Sequence, residues 1–230
     1  MDRVSIYIDG ANFYLLAFKR LGVHDADFDF DAFADFLAAG RKIISPPNGK
    51  RYYIGTVREV PGDYRSRTAM SRQTSLFTRL TTGGWGIKTS KHRLKTDEIV
   101  VDNRVWPKDA MLAAGISKFT LQHYVEKGID VKLATDLIVG AVDNQYDTAI
   151  IVSSDTDLIP AFDWIRMRLK KKVEYIGFSI PNEEDPRKSV KPTYAMFKKT
   201  DVQRVLVESD LRALLLSKTK PTTKPPAGES

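Results

Sequence analysis

Two aspartates one residue apart, Asp155 and Asp157, close an apolar run in "TAIIVSSDTDLIPAF". A carboxylate beside a buried segment needs water, hydrogen bonds or a counter-ion. Capping of the next helix explains one of the pair and leaves the other without a reason. Asp9 ends the first apolar run, in "VSIYIDGAN", where it either joins the same chemistry or caps a turn with Gly10. Asp136 interrupts the apolar helix "LATDLIVGAV". Propensity and burial both disfavour it there, so it reads as facing a polar cavity or as a satisfied buried hydrogen bond. Asp130, in "EKGIDVKL", suits a helix N-cap or support of a nearby metal, and Asn12 is likewise a cap or a support. Like charges about 4 Å apart repel by about 1 kcal/mol in water and about 4 kcal/mol at an effective dielectric near 20. A cluster of Asp9, Asp136, Asp155 and Asp157 therefore calls for protonation or a cation. With no cysteine and 3 histidines in the chain, the donors would be oxygens, which suit Mg²⁺ or Mn²⁺.

Composition narrows the alternatives. The absence of cysteine excludes disulfides, thiolate catalysis and cysteine-ligated zinc or iron–sulfur sites. No G-x-x-x-x-G-K-[ST] loop is present, and the glycines of "DGANF" and "GWGIK" lack dinucleotide-loop spacing. Ser153 and Ser154 have no G-x-S-x-G elbow, which argues against a serine hydrolase. Asp2, Arg3 and Asp9 break up the N-terminal apolar run and no window is long enough to span a bilayer, so a cytoplasmic protein is expected. The formal charge of +7 favours a polyanionic partner, although basic proteins need not bind one.

The elements that must position these acids follow from hydrophobic period. Strands are expected at 4–8, 51–57, 85–90, 148–153 and 173–178. Helices are expected at 12–21, 31–37, 64–81, 131–144 and 157–172, the last tolerating Pro160 in its first turn. On the 64–81 helix Ala69, Leu76, Phe77 and Leu80 share a face, flanked by Arg65, Arg72 and Arg79. That arginine stripe is either a solvated flank or a surface for phosphates. Alternating strand and helix points to an α/β layered fold with a mainly parallel sheet, in which ligands collect at the carboxyl ends of strands. Residues 94–122 break the rhythm and read as an insertion. The proline-rich tail 217–230 is too poor in apolar residues to fold. One domain, 1–216, carries the rest.

"IDGANFY", "KGIDVKLATDLIVGA" and "YDTAIIVSSDTDLIPAFDWIRMRLKKKVEYIGF", in this order, resemble the NYN domain, a PIN-like metal-dependent ribonuclease family, and within it the bacterial LabA-like branch. The resemblance implies a three-layer α/β/α sandwich with strands 4–8 and 148–153 adjacent, and an acidic pocket for Mg²⁺ or Mn²⁺. Carried over by position, Asp9, Asp136, Asp155 and Asp157 become catalytic metal ligands, with Asn12, Asp130, Ser153 and Ser154 in support. Ser154 stands where the family commonly has glycine, and 94–122 has no clear counterpart. The implied reaction is hydrolysis of RNA to 5′-phosphate and 3′-hydroxyl ends. Apart from the resemblance, the basic residues Lys91, His92, Arg93 and Lys127, expected near the carboxyl edge of the sheet, are candidates to hold the backbone of a single-stranded RNA, His92 suiting an ordinary surface position equally well. The rivals are a PIN-like RNA-binding or regulatory module that does not cut, and a phosphoesterase acting on DNA. A homo-oligomer and a protein partner are both left open.

Overall fold

The computed structural model describes residues 1–57, 59–126 and 128–216, with backbone only for 91–93 and 123–126. The expected tail from 217 lies outside them. Eight strands form one sheet in the order β5-β4-β3-β1-β6-β7-β8, with β2 paired to β1. They are β1 (Arg3–Asp9), β2 (Lys42–Ile43), β3 (Lys50–Thr56), β4 (Gly86–Val100), β5 (Lys118–Glu126), β6 (Thr148–Val152), β7 (Lys172–Ser179) and β8 (Val202–Val207). All pairings are parallel except β4 with β5.

Alternation along the strands builds two separate cores. Val4, Ile6 and Ile8 of β1, Ile150 and Val152 of β6, and Ile176 and Phe178 of β7 face one side. The intervening Tyr7, Ala149, Ile151, Val173 and Tyr175 face the other. Both faces of a parallel sheet must be covered, and helices cover both here. The first side packs a continuous helix of α1 (Gly10–Phe13), a π-helical turn (Tyr14–Phe18) and α2 (Lys19–Leu21), together with α3 (Phe30–Ala38) and α4 (Tyr64–Thr82). The second side packs α6 (Ile129–Val142), α7 (Ile159–Leu169) and α8 (Tyr194–Lys199). The result is the three-layer α/β/α sandwich.

Residues 94–122, which break the strand–helix rhythm, form a ribbon. They continue β4 beyond the sheet, turn through α5 (Lys108–Ala113) and return as β5, in an antiparallel ribbon pairing His92 with Glu126 through to Val100 with Lys118. Three strands escape the hydrophobic-period reading: β2 because it is two residues long, β5 because it sits in the ribbon, and β8 because it is a largely exposed edge. The last helix is α9 (Glu208–Arg212). Among the described residues no helix is long and apolar enough to cross a membrane.

Candidate metal centre

Strand order reverses at β1: the chain runs outward through β3 and β4 on one side, and through β6, β7 and β8 on the other. The crevice between β1 and β6 is therefore the switch point where α/β sheets take ligands. Ile8 pairs with Val152, so Asp9 and Ser153 are the first residues past the paired region, side by side.

Short hydrogen bonds tie the two strand ends together. Asp9 is the N-cap of α1, its Oδ1 accepting from the Asn12 amide at 3.0 Å, while its Oδ2 accepts from the Ser153 hydroxyl at 3.1 Å. The Ser153 oxygen accepts from the Asp155 amide at 3.2 Å. The Asn12 side-chain oxygen accepts from the Ser154 amide at 3.0 Å, and the Ser154 hydroxyl meets the Tyr175 hydroxyl at 3.0 Å. Behind this turn, Phe13 stacks against Phe33 and Phe178, which anchors the start of α1 in the core.

Asp9 is only 5% exposed. Burial pushes its carboxyl up to about 6; the Asn12 and Ser153 hydrogen bonds oppose this, and the charges of Asp130 and Asp155 add to it. Among the described residues no cation forms an ion pair with Asp9 or Asp155. Asp155 caps the 3₁₀ turn Thr156–Leu158 by accepting from the Asp157 amide at 2.9 Å. Asp157 is exposed, so its established contribution to this geometry is that backbone N–H. Asp130 sits in the first turn of α6, where the helix dipole favours an acid. The N-cap there is Gly128, at φ 82°, rather than Asp130. Likewise the first helix is capped by Asp9, and Asn12 bonds across to Ser154. Asp9, Asn12, Leu15, Gly128 and Asp130 line a cleft of about 250 Å³.

Asp136 stands elsewhere. It follows Asp130 by six residues, about 9 Å down the helix, and lies over β3. There it accepts from the Tyr53 hydroxyl at 2.9 Å and pairs with Arg51 at 3.3 Å and Lys88 at 3.6 Å. The polar surroundings expected of Asp136 exist, but they are cationic. Arg51 was the legible signal for this network: an arginine in an apolar strand needs an internal acceptor, and it is 6% exposed.

The arginine stripe divides in the same way. Arg65 and Arg72 are exposed, whereas Arg79 donates to the carbonyls of Ala26 and Phe28 and clamps that loop. Lys91, His92 and Arg93 lie on β4, but their side chains, and Lys127 as a whole, lie outside the described residues.

Among the described residues, no three histidine, cysteine, aspartate or glutamate side chains stand together at metal-holding distance. The crevice still fits a hard divalent ion. Mg²⁺ keeps several waters and is commonly bound through one or two carboxylates plus substrate phosphate. A carboxylate raised by burial and further by its acidic neighbours, with no paired cation among the described residues, is the local charge pattern such an ion relieves.

The family model of the NYN domain matches residues 3–195. No curated protein matches the chain. A solved protein of unknown function from Vibrio parahaemolyticus is similar at 16% identity and a TM-score of 0.48, over 89% of this chain and 93% of that one.

Proposed function

The chain belongs to the NYN domain family, which carries a PIN-like nuclease fold, and we propose that it is a metal-dependent ribonuclease of the LabA-like branch. The observation that carries this reading is the Asp9 carboxylate at the switch point, raised by its burial and, to a smaller extent, by the charges of Asp130 and Asp155, and paired with no cation among the described residues. Retaining such a group costs stability, and a charge arrangement that costs stability is commonest at a functional site.

Asp9 and Asp155 are the residues that would hold Mg²⁺ or Mn²⁺. When bound, the ion supplies Lewis acidity and neutralises charge gathering on the phosphate oxygens. The Ser153 hydroxyl and the Asn12 amide fix the Asp9 carboxylate from either side. The Asp157 amide fixes that of Asp155, and Asn12 holds the loop between them through the Ser154 amide. Asp130 adds negative charge at the mouth of the cleft. Asp136 acts at a distance, holding Arg51 and Lys88 in place beside β3. Above about pH 6 Asp9 is ionised and able to bind a cation.

One observation favours a second reading, an RNA-binding module that does not cut. Asp136 is engaged by cations, and no three-acid group is assembled among the described residues. The deciding experiment incubates labelled single-stranded RNA, beside matched DNA, with the purified protein in Mn²⁺, Mg²⁺ or EDTA, and repeats it with Asp155→Asn. Cleavage of RNA that requires both the ion and Asp155 is expected. Binding without cleavage by wild type would establish the module, and preference for DNA would make the protein a different phosphoesterase.

A further inference from the structure

At the opposite end of the strands from the acidic crevice, the C-terminal ends of α7 and α8 converge on the start of β7 around a cleft of about 470 Å³. Cations dominate its lining. Some of these are neutralised locally: Arg166 pairs with Asp201 at 2.7 Å, Lys199 with Asp163 at 2.8 Å, and Lys171 with Asp147 at 3.6 Å. Lys170, Lys172 and Lys198 line the same cleft and form no ion pair among the described residues, although the charge of Lys172 helps to lower the Asp201 carboxyl. Helix C-termini favour cations, which accounts for lysines being near these ends. It does not account for six cations set against two acids, Asp163 and Asp201, in one concavity.

Exposed apolar groups lie among these charges. The Lys198 ammonium sits 4.9 Å from the Tyr194 ring centroid, and Tyr194 is 69% exposed. Met167 is 66% exposed, and Trp164, 39% exposed, faces solvent farther back along α7. Unpaired cations that track a backbone, together with aromatic faces that accept any base, are the recognition chemistry of single-stranded nucleic acid.

We infer that the Lys170–Lys172–Lys198 cleft is a second anchoring site for the phosphate backbone of single-stranded RNA, remote from the acidic crevice. The choice of RNA as the polymer rests on the ribonuclease reading; the basic, aromatic chemistry of the cleft does not. The 11 residues of α7 separate the two sites, about 16 Å, with Trp164 and Met167 on the exposed surface between them. A strand drawn toward a cluster of carboxylates is repelled by it, so cations away from the cluster are where the polymer gains its hold.

The test is fluorescence anisotropy of a labelled single-stranded RNA with the full chain in EDTA, across a salt series, so that binding is read without turnover. The triple variant Lys170→Gln, Lys172→Gln, Lys198→Gln is compared with wild type and with the charge-retaining triple arginine variant. The glutamine variant is expected to bind at least about tenfold more weakly at low salt, with a log–log salt slope shallower by about 2, as three lost phosphate contacts require. The arginine variant is expected to bind as wild type does, and hydrolysis of a small phosphodiester is expected to be unchanged in both. Equal affinity and slope in the glutamine variant would overturn the assignment. So would polyglutamate bound as tightly as RNA through the same lysines, which would mark an acidic protein as the partner. A wild type that cuts nothing yet shows lysine-dependent RNA binding would remove the ribonuclease reading and leave this site standing.

Discussion

Asp9 is held by the fold in a place that opposes its ionisation. Its carboxyl is raised from 3.8 to about 6, so between these values the folded chain retains a proton that the unfolded chain has lost. Metal-free stability is therefore fullest below 3.8 and declines as pH rises through about 6, by roughly 3 kcal/mol from this group. Asp9→Asn removes the charge and keeps acceptor and donor atoms toward Asn12 and Ser153. In EDTA at pH 8 its Tm is expected to rise by a few degrees; wild type is expected to gain Tm when Mn²⁺ is added at pH 8, and this variant is expected to show no such gain. Wild type itself should lose that rise at pH 5, where Asp9 is protonated, and RNA cleavage should increase with pH through about 6. An equal Mn²⁺ shift in Asp9→Asn would move the ion away from this crevice. Asp136→Asn makes the contrasting case. It weakens the acceptor for Arg51, whose side chain is 7% exposed, so urea unfolding should report a loss of about 1–3 kcal/mol. Cleavage by the folded protein should fall far less than in Asp155→Asn, and an equal loss in the two variants would place Asp136 among the groups that hold the ion.

At the level of elements, α6 carries both Asp130 and Asp136 and must lie close to the sheet to present them. Gly140 allows that approach: a Cβ there would come 2.9 Å from the Tyr146 ring and 3.1 Å from the Tyr7 hydroxyl. The Tyr146 ring cannot easily give way, because its hydroxyl donates to the Leu137 carbonyl at 2.6 Å. Intrinsic propensity makes Gly140→Ala stabilising by about 1 kcal/mol. Overpacking costs about 1–3 kcal/mol, so a net destabilisation is expected, read as a lower urea midpoint; a higher one would show that α6 can lift off the sheet. This conflict between local preference and packing is of the kind that sequence alone does not resolve. The strands β1, β3, β6 and β7 were legible because buried parallel strands are continuous apolar runs. β8, "VQRVLV", was not, since an exposed edge carries a mixed pattern. The nearness of Asp9 to Asp155 rests on two neighbouring strand ends, an adjacency that the family resemblance implied, whereas the capture of Asp136 depended on Arg51 and Lys88 arriving from strands distant in sequence. No spacing rule along one helix registers a partner on another element.

For the whole molecule, the sheet divides into a body that makes the crevice and a ribbon that leaves it. β4 pairs with β3 only from Gly86 to Lys91, and from His92 onward its partner is β5. The ribbon's exposed side chains include Leu94, Val100, Leu121 and, at the tip, Trp106 at 93% exposure. The two cores, by contrast, draw on β1, β3, β6 and β7, on Leu206 of β8 and on the helices either side of them; among the described residues, Trp85 and Ile87 are the ones that join from around the start of β4. Stability should therefore be concentrated in the body, and opening of the ribbon should leave the body folded. Replacing residues 95–123 with an Asn-Gly turn keeps the opposed pair Leu94 and Tyr124 flanking a two-residue loop, the geometry a type I′ hairpin prefers. The shortened chain is expected to unfold in one cooperative transition with a Tm within a few degrees of wild type, and to keep its Mn²⁺-induced rise at pH 8, because Asp9, Asp155 and their hydrogen bonds lie on the β1–β6 side. Circular dichroism melts with and without Mn²⁺ measure both quantities. Loss of the cooperative transition would make the ribbon part of the folding core. Retention of the fold with loss of the Mn²⁺ response would instead show that the ribbon helps to build the crevice, and would move the boundary of the candidate site outward from the switch point.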